Sequence, residues 1–470
     1  MVSIDQTGDA GLEARASANV KFYGAAWRWH FYAGLYVIPF LLVLATTGMI
    51  MQWTSVLQGR DGEWVEVPIT AGTPLPVSQQ AEAARAAVDG DLRQYIAPRA
   101  DDLAAIFRVD RGEDAIMVAV DPYTATVLDS FPRRSGLYDL ADDIHGTLLI
   151  GTIGDRAIEA AASLALVMIA TGLYLWWPRN GGTLSAFIPS FSARGRALWK
   201  NLHSVIGVWI SLILVVFLIS GLSWAGIWGE KMVQAWSTFP AEKWDNVPLS
   251  DDTHASMNHA GRKEVPWALE QTPMPVSGSD AGIPGIPEGQ AVSLDSIVAF
   301  ARQTGFDGRF QLAFPRGDQG VWTLSRDSMS NDSEDPTSDR TMHLDRYTGK
   351  VLADVGFADY SIYGQGMAVG IAFHEGDLGA WNVALNTVFC LSVVFLCVSG
   401  IVMWWKRRPA RALRLAAPPM PRDMPLWQGA VLVGLAVSLA FPMAGIALLS
   451  IIALDVLVLR RLPALKRALS

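Results

Sequence analysis

Cysteine is nearly absent: the 470 residues hold two, Cys390 and Cys397, both inside one apolar run. A disulfide framework is therefore excluded as an organising device, and both thiols read as small buried packing residues on one helix face. Charge is scarce as well. Charged residues make up 17% of the chain and apolar ones 51%, too little polar surface for an ordinary soluble enzyme of this length. No Gly-x-Gly-x-x-Gly follows a strand-like run and no phosphate-binding loop occurs, which removes the usual nicotinamide, flavin and ATP domains. No cleavable signal is visible either, because the first apolar run begins near residue 31 and continues for a full span.

What is present is four long apolar runs: Phe31 to Trp53, Ala160 to Trp177, Val205 to Trp228 and Val383 to Trp405. Each approaches or exceeds the roughly 20 residues that a helix needs to cross a bilayer. Each also ends on Trp, which favours the membrane–water interface. The stretch from Met424 to Leu459 is nearly twice that length and carries Pro442 near its middle, so it reads as a hairpin of two short helices. The expected fold is an all-α polytopic membrane bundle, four core helices plus a C-terminal hairpin and thus six spans, with two small α+β modules in the long loops.

Lys and Arg set the orientation. The 178–201 loop holds Arg179, Arg194, Arg196 and Lys200 without an acid, and Lys406, Arg407, Arg408, Arg411, Arg414 and Arg422 follow the fourth run, so both face the cytoplasm. Arg460, Arg461, Lys466 and Arg467 place the C-terminus with them. The net charge of −8 comes mainly from the two long acid-rich connections, which lie outside as a solvated face and carry no nucleic-acid signal. The chain then divides into the N-terminus with the first span (1–53), a first outer module (54–144), the second span with a lead-in helix (145–177) and a basic loop (178–201). The third span (202–229), a second outer module (230–373), the fourth span with its lead-in (374–405), a second basic loop (406–423) and the hairpin (424–470) complete it.

The sequence is also duplicated. Asp121-Pro-Tyr-Thr-Ala-Thr-Val-Leu128 returns as Asp345-Arg-Tyr-Thr-Gly-Lys-Val-Leu352. A helical stretch precedes each copy (Ser78 to Val88; Leu294 to Gln303), followed by strand-like alternation at Ala105-Ile-Phe-Arg-Val109 and Gly320-Val-Trp-Thr-Leu324. Each outer loop is expected to fold as one module, a helix against an antiparallel sheet, with Tyr-Thr-Gly at a structural hairpin corner. The spans repeat too: Thr47-Gly48, Thr171-Gly172, Ser220-Gly221 and Ser399-Gly400 are small pairs that read as helix-packing positions.

Four of the seven histidines fall in repeat register. His30 and His203 precede the glycine of their span by 18 residues, His145 and His374 by 27 and 26. An interval of 18 is about five helical turns, so His and Gly share a face. The orientation puts His30 and His203 at the cytoplasmic ends of two outgoing helices, and His145 and His374 at the outer ends of two returning ones. Each membrane face then offers two imidazoles from different helices, the set that six-coordinate haem iron requires. Without Cys-x-x-Cys-His the haem would be non-covalent b-type, two per chain. The bland alternative for any one of these residues is a polar interfacial histidine satisfied by water or a carbonyl.

Gly151, Gly154, Asp155, Arg156 and Glu159 separate His145 from the apolar core of its span, which places it on a lead-in helix near the surface. Arg28 suits a haem propionate through bidentate pairing, or equally a lipid headgroup. His254 and His259, five apart in a loop-like segment, are candidates for metal or substrate contact, and His343 sits in a strand pattern and reads as structural.

These residues resemble the PepSY-associated transmembrane proteins of bacteria, an often iron-regulated family that includes ferric-siderophore reductases of the ferrioxamine-reductase kind. The resemblance covers nearly the whole chain. It is carried by Trp29-His30-Phe-Tyr-Ala-Gly34, Ile144-His-Gly-Thr-Leu-Leu-Ile-Gly151, Leu202-His-Ser-Val-Ile-Gly-Val-Trp209, Phe373-His-Glu-Gly376, Val265-Pro-Trp267 and the doubled Asp-x-Tyr-Thr turn. It implies PepSY-like outer modules, haem-iron ligation at His30, His145, His203 and His374, and an inner-membrane location with the large loops in the periplasm. It further implies an oxidoreductase that takes electrons from a quinol or a cytoplasmic reductase and reduces an Fe(III) siderophore outside, releasing Fe(II). The first turn departs from the pattern, with Ala125 in place of Gly, and the C-terminal hairpin is an extension. Two other readings stay open: a PepSY-type regulatory, peptidase-inhibiting membrane protein that needs no haem, and a haem or siderophore transporter. The almost uncharged centres of the four runs weigh against the transporter.

Overall fold

The computed structural model describes residues 6–69, 72–179, 184–234, 246–258, 264–408 and 428–454, with 239, 415 and 461 singly. Its elements run α1 (Gln6–Gln58), α2 (Val77–Ala87), β1 (Asp91–Ile96), β2 (Ala105–Arg111), β3 (Asp114–Val120), β4 (Val127–Pro132), α3 (Leu137–Thr147), α4 (Thr152–Trp176), α5 (Arg196–Leu222), β5 (Leu249–Thr253) and β6 (Pro273–Pro275). Then follow α6 (Leu294–Gln303), β7 (Gln311–Ala313), β8 (Val321–Arg326), β9 (Arg340–Asp345), β10 (Val351–Gly356), α7 (Ile362–Glu375), α8 (Ala380–Arg407), α9 (Gln428–Ala440) and α10 (Pro442–Leu454). They form two compact units, one of Met1–Thr47, Ile144–Val233 and Thr387–Ser470, the other of Gly48–Asp143 and Gln234–Asn386.

Among the described residues, four helices are long and apolar enough to cross a membrane: Asn19–Gln58 within α1, then α4, α5 and α8. The expected six spans are not found among the described residues. α9 and α10 hold 13 residues each, and a helix of that length rises about 20 Å where the hydrocarbon measures roughly 30 Å. The hairpin itself forms as read, with Pro442 opening α10, where a missing N–H costs nothing. Trp228 holds its bend: the indole N–H donates to the Ala440 carbonyl at 2.8 Å, and the ring stacks on Phe441 at 5.6 Å.

The second unit overturns the all-α class and the expectation of two modules. It contains one eight-stranded antiparallel sheet, ordered β10-β9-β8-β7-β1-β2-β3-β4. Each half of the repeat does supply a helix and four strands. Alone, however, each half would leave its first strand as an open edge of unpaired N–H and C=O groups. The two edges pair with each other instead, Gln94 opposite Ala313, Tyr95 opposite Leu312 and Ile96 opposite Gln311. Both helices then cover one face, so that Ala84 of α2 and Ile297 of α6 share a core with Phe107, Leu312 and Leu344. Asp295 ties the helices together, accepting from the Ser78 backbone N–H at 2.9 Å and hydroxyl at 2.6 Å. β5 and β6 form a separate two-stranded ribbon.

The doubled motif makes two matched turns. Asp121 accepts from the Tyr123 N–H and the Thr124 hydroxyl, and Asp345 from the Tyr347 and Thr348 N–H groups, all at 2.8 Å. Each tyrosine hydroxyl braces a neighbouring carbonyl, Tyr123 that of Asp101 and Tyr347 that of Asp318. Gly349 sits in the left-handed region at φ 66°, and Ala125 is forced into the same place at φ 54°, where a Cβ crowds the following carbonyl. Ala125→Gly should therefore stabilise the protein, by up to about 1 kcal/mol once the entropy of glycine is subtracted. Gly349→Ala should destabilise it, because a Cβ there would lie 2.6 Å from the Ile286 side chain. Thermal unfolding of the two variants side by side checks both signs, and a lowered midpoint for Ala125→Gly would overturn the strain argument.

Candidate functional site

The histidines in repeat register lie on four helices: His30 on α1, His145 near the end of α3, His203 on α5 and His374 near the end of α7. The first three belong to the helical unit and His374 to the sheet-bearing one. His30 and His203 are brought together, their ring centroids 6.5 Å apart and their planes at 89°.

His30, His203 and His145 are each anchored through Nδ1. His30 Nδ1 lies 3.1 Å from the Met168 carbonyl oxygen and 3.1 Å from the Thr171 hydroxyl. A carbonyl can only accept, so neutral His30 carries its proton on Nδ1. His203 Nδ1 lies 2.7 Å from the Ser399 hydroxyl, which donates its own proton to the Leu396 carbonyl at 2.9 Å. His145 Nδ1 lies 2.9 Å from the Thr47 hydroxyl, which donates to the Val43 carbonyl at 2.8 Å. A hydroxyl has one proton; with that proton committed to its own helix, it accepts from the imidazole. In each case Nε2 is left with its lone pair.

The hydroxyl–glycine pairs at Thr47, Thr171 and Ser399 are thus more than packing positions. The hydroxyl takes the Nδ1 proton, and the glycine leaves room for the ring: a Cβ on Gly172 would meet His30 Cε1 at 3.1 Å. The sequence signal for this was the hydroxyl itself, since close packing needs only a small residue. An imidazole nitrogen lies about 2 Å from a metal ion that it ligates and roughly 1.2 Å from its own ring centre, so two rings on opposite sides of one ion stand about 6.4 Å apart. The separation of His30 and His203 fits a haem held by two axial imidazoles. Among the described residues no three His, Cys, Asp or Glu side chains converge as a bare metal ion would need, whereas the haem macrocycle supplies all but the axial donors.

The carbonyl of His374 accepts from Asn386 Nδ2 at 3.2 Å, and that of Phe373 from Asn382 and Asn386 at 3.0 and 2.8 Å. Arg28 donates to the Tyr32 hydroxyl at 3.1 Å and lies over its ring. Cys390 and Cys397 are buried free thiols, and Trp267 of the Val-Pro-Trp element is buried against Tyr363. Glu159, read only as an interruption of an apolar run, is buried on α4. It accepts from the Trp228 and Ile227 N–H groups at 2.8 and 3.3 Å and from Arg156 at 3.1 Å, fixing the exit of α5.

His259 lies outside the described residues. His254 and His343 form a buried pair, Nε2 to Nε2 at 2.8 Å, in which His254 Nδ1 donates to the Thr272 carbonyl at 2.7 Å and His343 Nδ1 accepts from the Thr323 hydroxyl at 2.9 Å. Both tautomers follow: His343 Nε2–H donates to His254 Nε2. Burial pushes His254 down to about 4 and His343 well below its ordinary value, where the neighbouring His254 lowers it further. Unfolded histidine titrates near 6.5, so between about pH 6.5 and 4 only the unfolded chain takes up these protons, and stability falls as pH drops. His343→Asn should lower the unfolding midpoint at pH 7 and flatten its decline over that window, by up to about 1.4 kcal/mol per pH unit for each histidine removed from the titration. Equal slopes in wild type and variant would refute the neutral pair.

No curated protein matches this chain. The family described as PepSY-associated TM region matches residues 27–407, from the turn before His30 to the end of α8. The match takes in both halves of the sheet and the membrane-spanning helices and leaves out α9 and α10. With most of its length matched and four apolar helices able to cross a bilayer, this membrane protein belongs to the PepSY-associated TM family.

Proposed function

We propose that this chain is a membrane oxidoreductase that holds b-type haem on histidines of its helices. It carries electrons from a cytoplasmic reductase or the quinol pool, across the bacterial inner membrane, to a ferric siderophore in the periplasm, from which Fe(II) is released. Family membership supports the coarser part, a membrane protein of an iron-regulated group. The ferric siderophore as acceptor follows the resemblance in the sequence.

One observation carries the haem reading: at His30 and His203 the rings stand 6.5 Å apart with both Nδ1 atoms anchored to neighbouring helices. Bound haem would supply a one-electron Fe(III)/Fe(II) couple whose potential its surroundings tune. His30 and His203 would hold the haem iron through Nε2. Thr171, the Met168 carbonyl and Ser399, by accepting the Nδ1 protons, orient the two rings and make each Nε2 more basic. His145, cradled by Thr47, and His374 are the proposed outer ligands, a pairing that rests on the repeat register. Arg28 is the proposed propionate contact beside His30. The donor is a separate molecule, because the sequence carries no recognisable nicotinamide or flavin domain.

The reduced-minus-oxidised spectrum of detergent-purified protein, with a pyridine haemochrome count, tests this. Wild type should carry about two b haems per chain and His203→Ala about one. Ser399→Ala keeps the ligand and should weaken that haem about 10- to 100-fold. A well-folded but colourless wild type from haem-replete cells would sink the reading and favour the haem-free regulatory alternative.

A further inference from the structure

Arg60 lies just beyond α1 and belongs to none of the sequence motifs. Its side chain is 13% exposed, and each of its five N–H donors has an acceptor. Nε donates to the Ser55 hydroxyl at 3.2 Å, Nη1 to the Met329 carbonyl at 3.3 Å and Glu375 Oε2 at 3.2 Å, and Nη2 to both oxygens of Asp377 at 3.2 Å. The guanidinium also lies over the Tyr138 ring, 4.9 Å from its centroid. One side chain therefore joins the end of α1, the first turn of α3, the connection from β8 to β9 and the residues on either side of the end of α7.

Those last residues matter most. Glu375 and Asp377 come directly after His374, on either side of Gly376, which closes α7 in the left-handed conformation at φ 92°. Asn382 and Asn386 hold the Phe373 and His374 carbonyls, and Arg60 holds the turn just beyond. Lysine could not replace it, because an ammonium is a point charge with three donors and lacks the planar fork that spans Glu375, Asp377 and Met329.

We propose that Arg60 is a positioning residue for His374: by fixing the turn after α7 it sets where the imidazole is presented to haem. The inference rests on the reading of His374 as an axial ligand. Its test uses the haem-loaded full chain in detergent, with haem content, redox titration and the ferric EPR spectrum as readouts. His203→Ala and His374→Ala first assign a signal to each site. Arg60→Lys should then shift the midpoint potential and EPR signal assigned to His374 and weaken that haem about 10- to 100-fold, leaving the His203 signal unchanged. Asp377→Asn, which removes one oxyanion from the fork, should shift the same signal in a chain that needs no loss of Arg60 to fold. If Arg60→Lys and Asp377→Asn leave both signals as in wild type, or move both equally, the positioning role is overturned. If His374→Ala keeps its full haem content, the ligand reading itself fails and the role of Arg60 falls with it.

Discussion

The half-buried imidazoles of His30, His145 and His203 each need a partner for the Nδ1–H, and the helical unit is arranged to meet that demand. Serine and threonine meet it in little space: the hydroxyl returns its proton to a carbonyl of its own helix and accepts the Nδ1–H of a neighbour. At Gly172 the missing Cβ also leaves room for the His30 ring. The demand also decides which helices pair. His30 on α1 reaches Thr171 on α4, and His203 on α5 reaches Ser399 on α8. Thr47 on α1 in turn receives His145, which leads into α4. Each link leaves Nε2 unprotonated, which gives the packing a chemical consequence.

The sheet-bearing unit answers the same demand in its backbone. Eight strands form one surface because β1 and β7 would otherwise each carry an open edge, and the duplicated halves are complementary at that edge. Buried polar side chains follow suit. His254 and His343 sit at the centre of a hydrogen-bonded run from the Thr323 hydroxyl to the Thr272 carbonyl, which assigns both tautomers and keeps both rings neutral. Arg60 is the charged version, a guanidinium whose donors all meet acceptors, Ser55 nearby and Met329, Glu375 and Asp377 from distant parts of the chain.

Much of this was legible beforehand. α6 occupies the predicted Leu294–Gln303, and α2, β2 and β8 lie within a residue or two of the segments read from periodicity. The four apolar runs form helices, and the two Asp-x-Tyr-Thr turns share their Asp-to-Tyr bond, with Ala125 taking the conformation of Gly349. The errors came where a local signal was asked to report a distant partner. The Met424–Leu459 stretch was apolar enough for two crossings, yet its helices hold only 13 described residues each. The two outer loops were separate in sequence and are one sheet in space.

The sequence by itself determined the four long apolar helices, the duplication and the register of the four histidines, because hydrophobic length, periodicity and spacing act between residues near one another along the chain. Tertiary structure alone decided that the two halves share a sheet, that Thr47, Thr171 and Ser399 hold imidazoles, and that Arg60 gathers Glu375 and Asp377. A hydrogen-bond donor is satisfied by whichever acceptor lies within about 3 Å of it in the folded chain, and nothing in the order of residues records which one that will be.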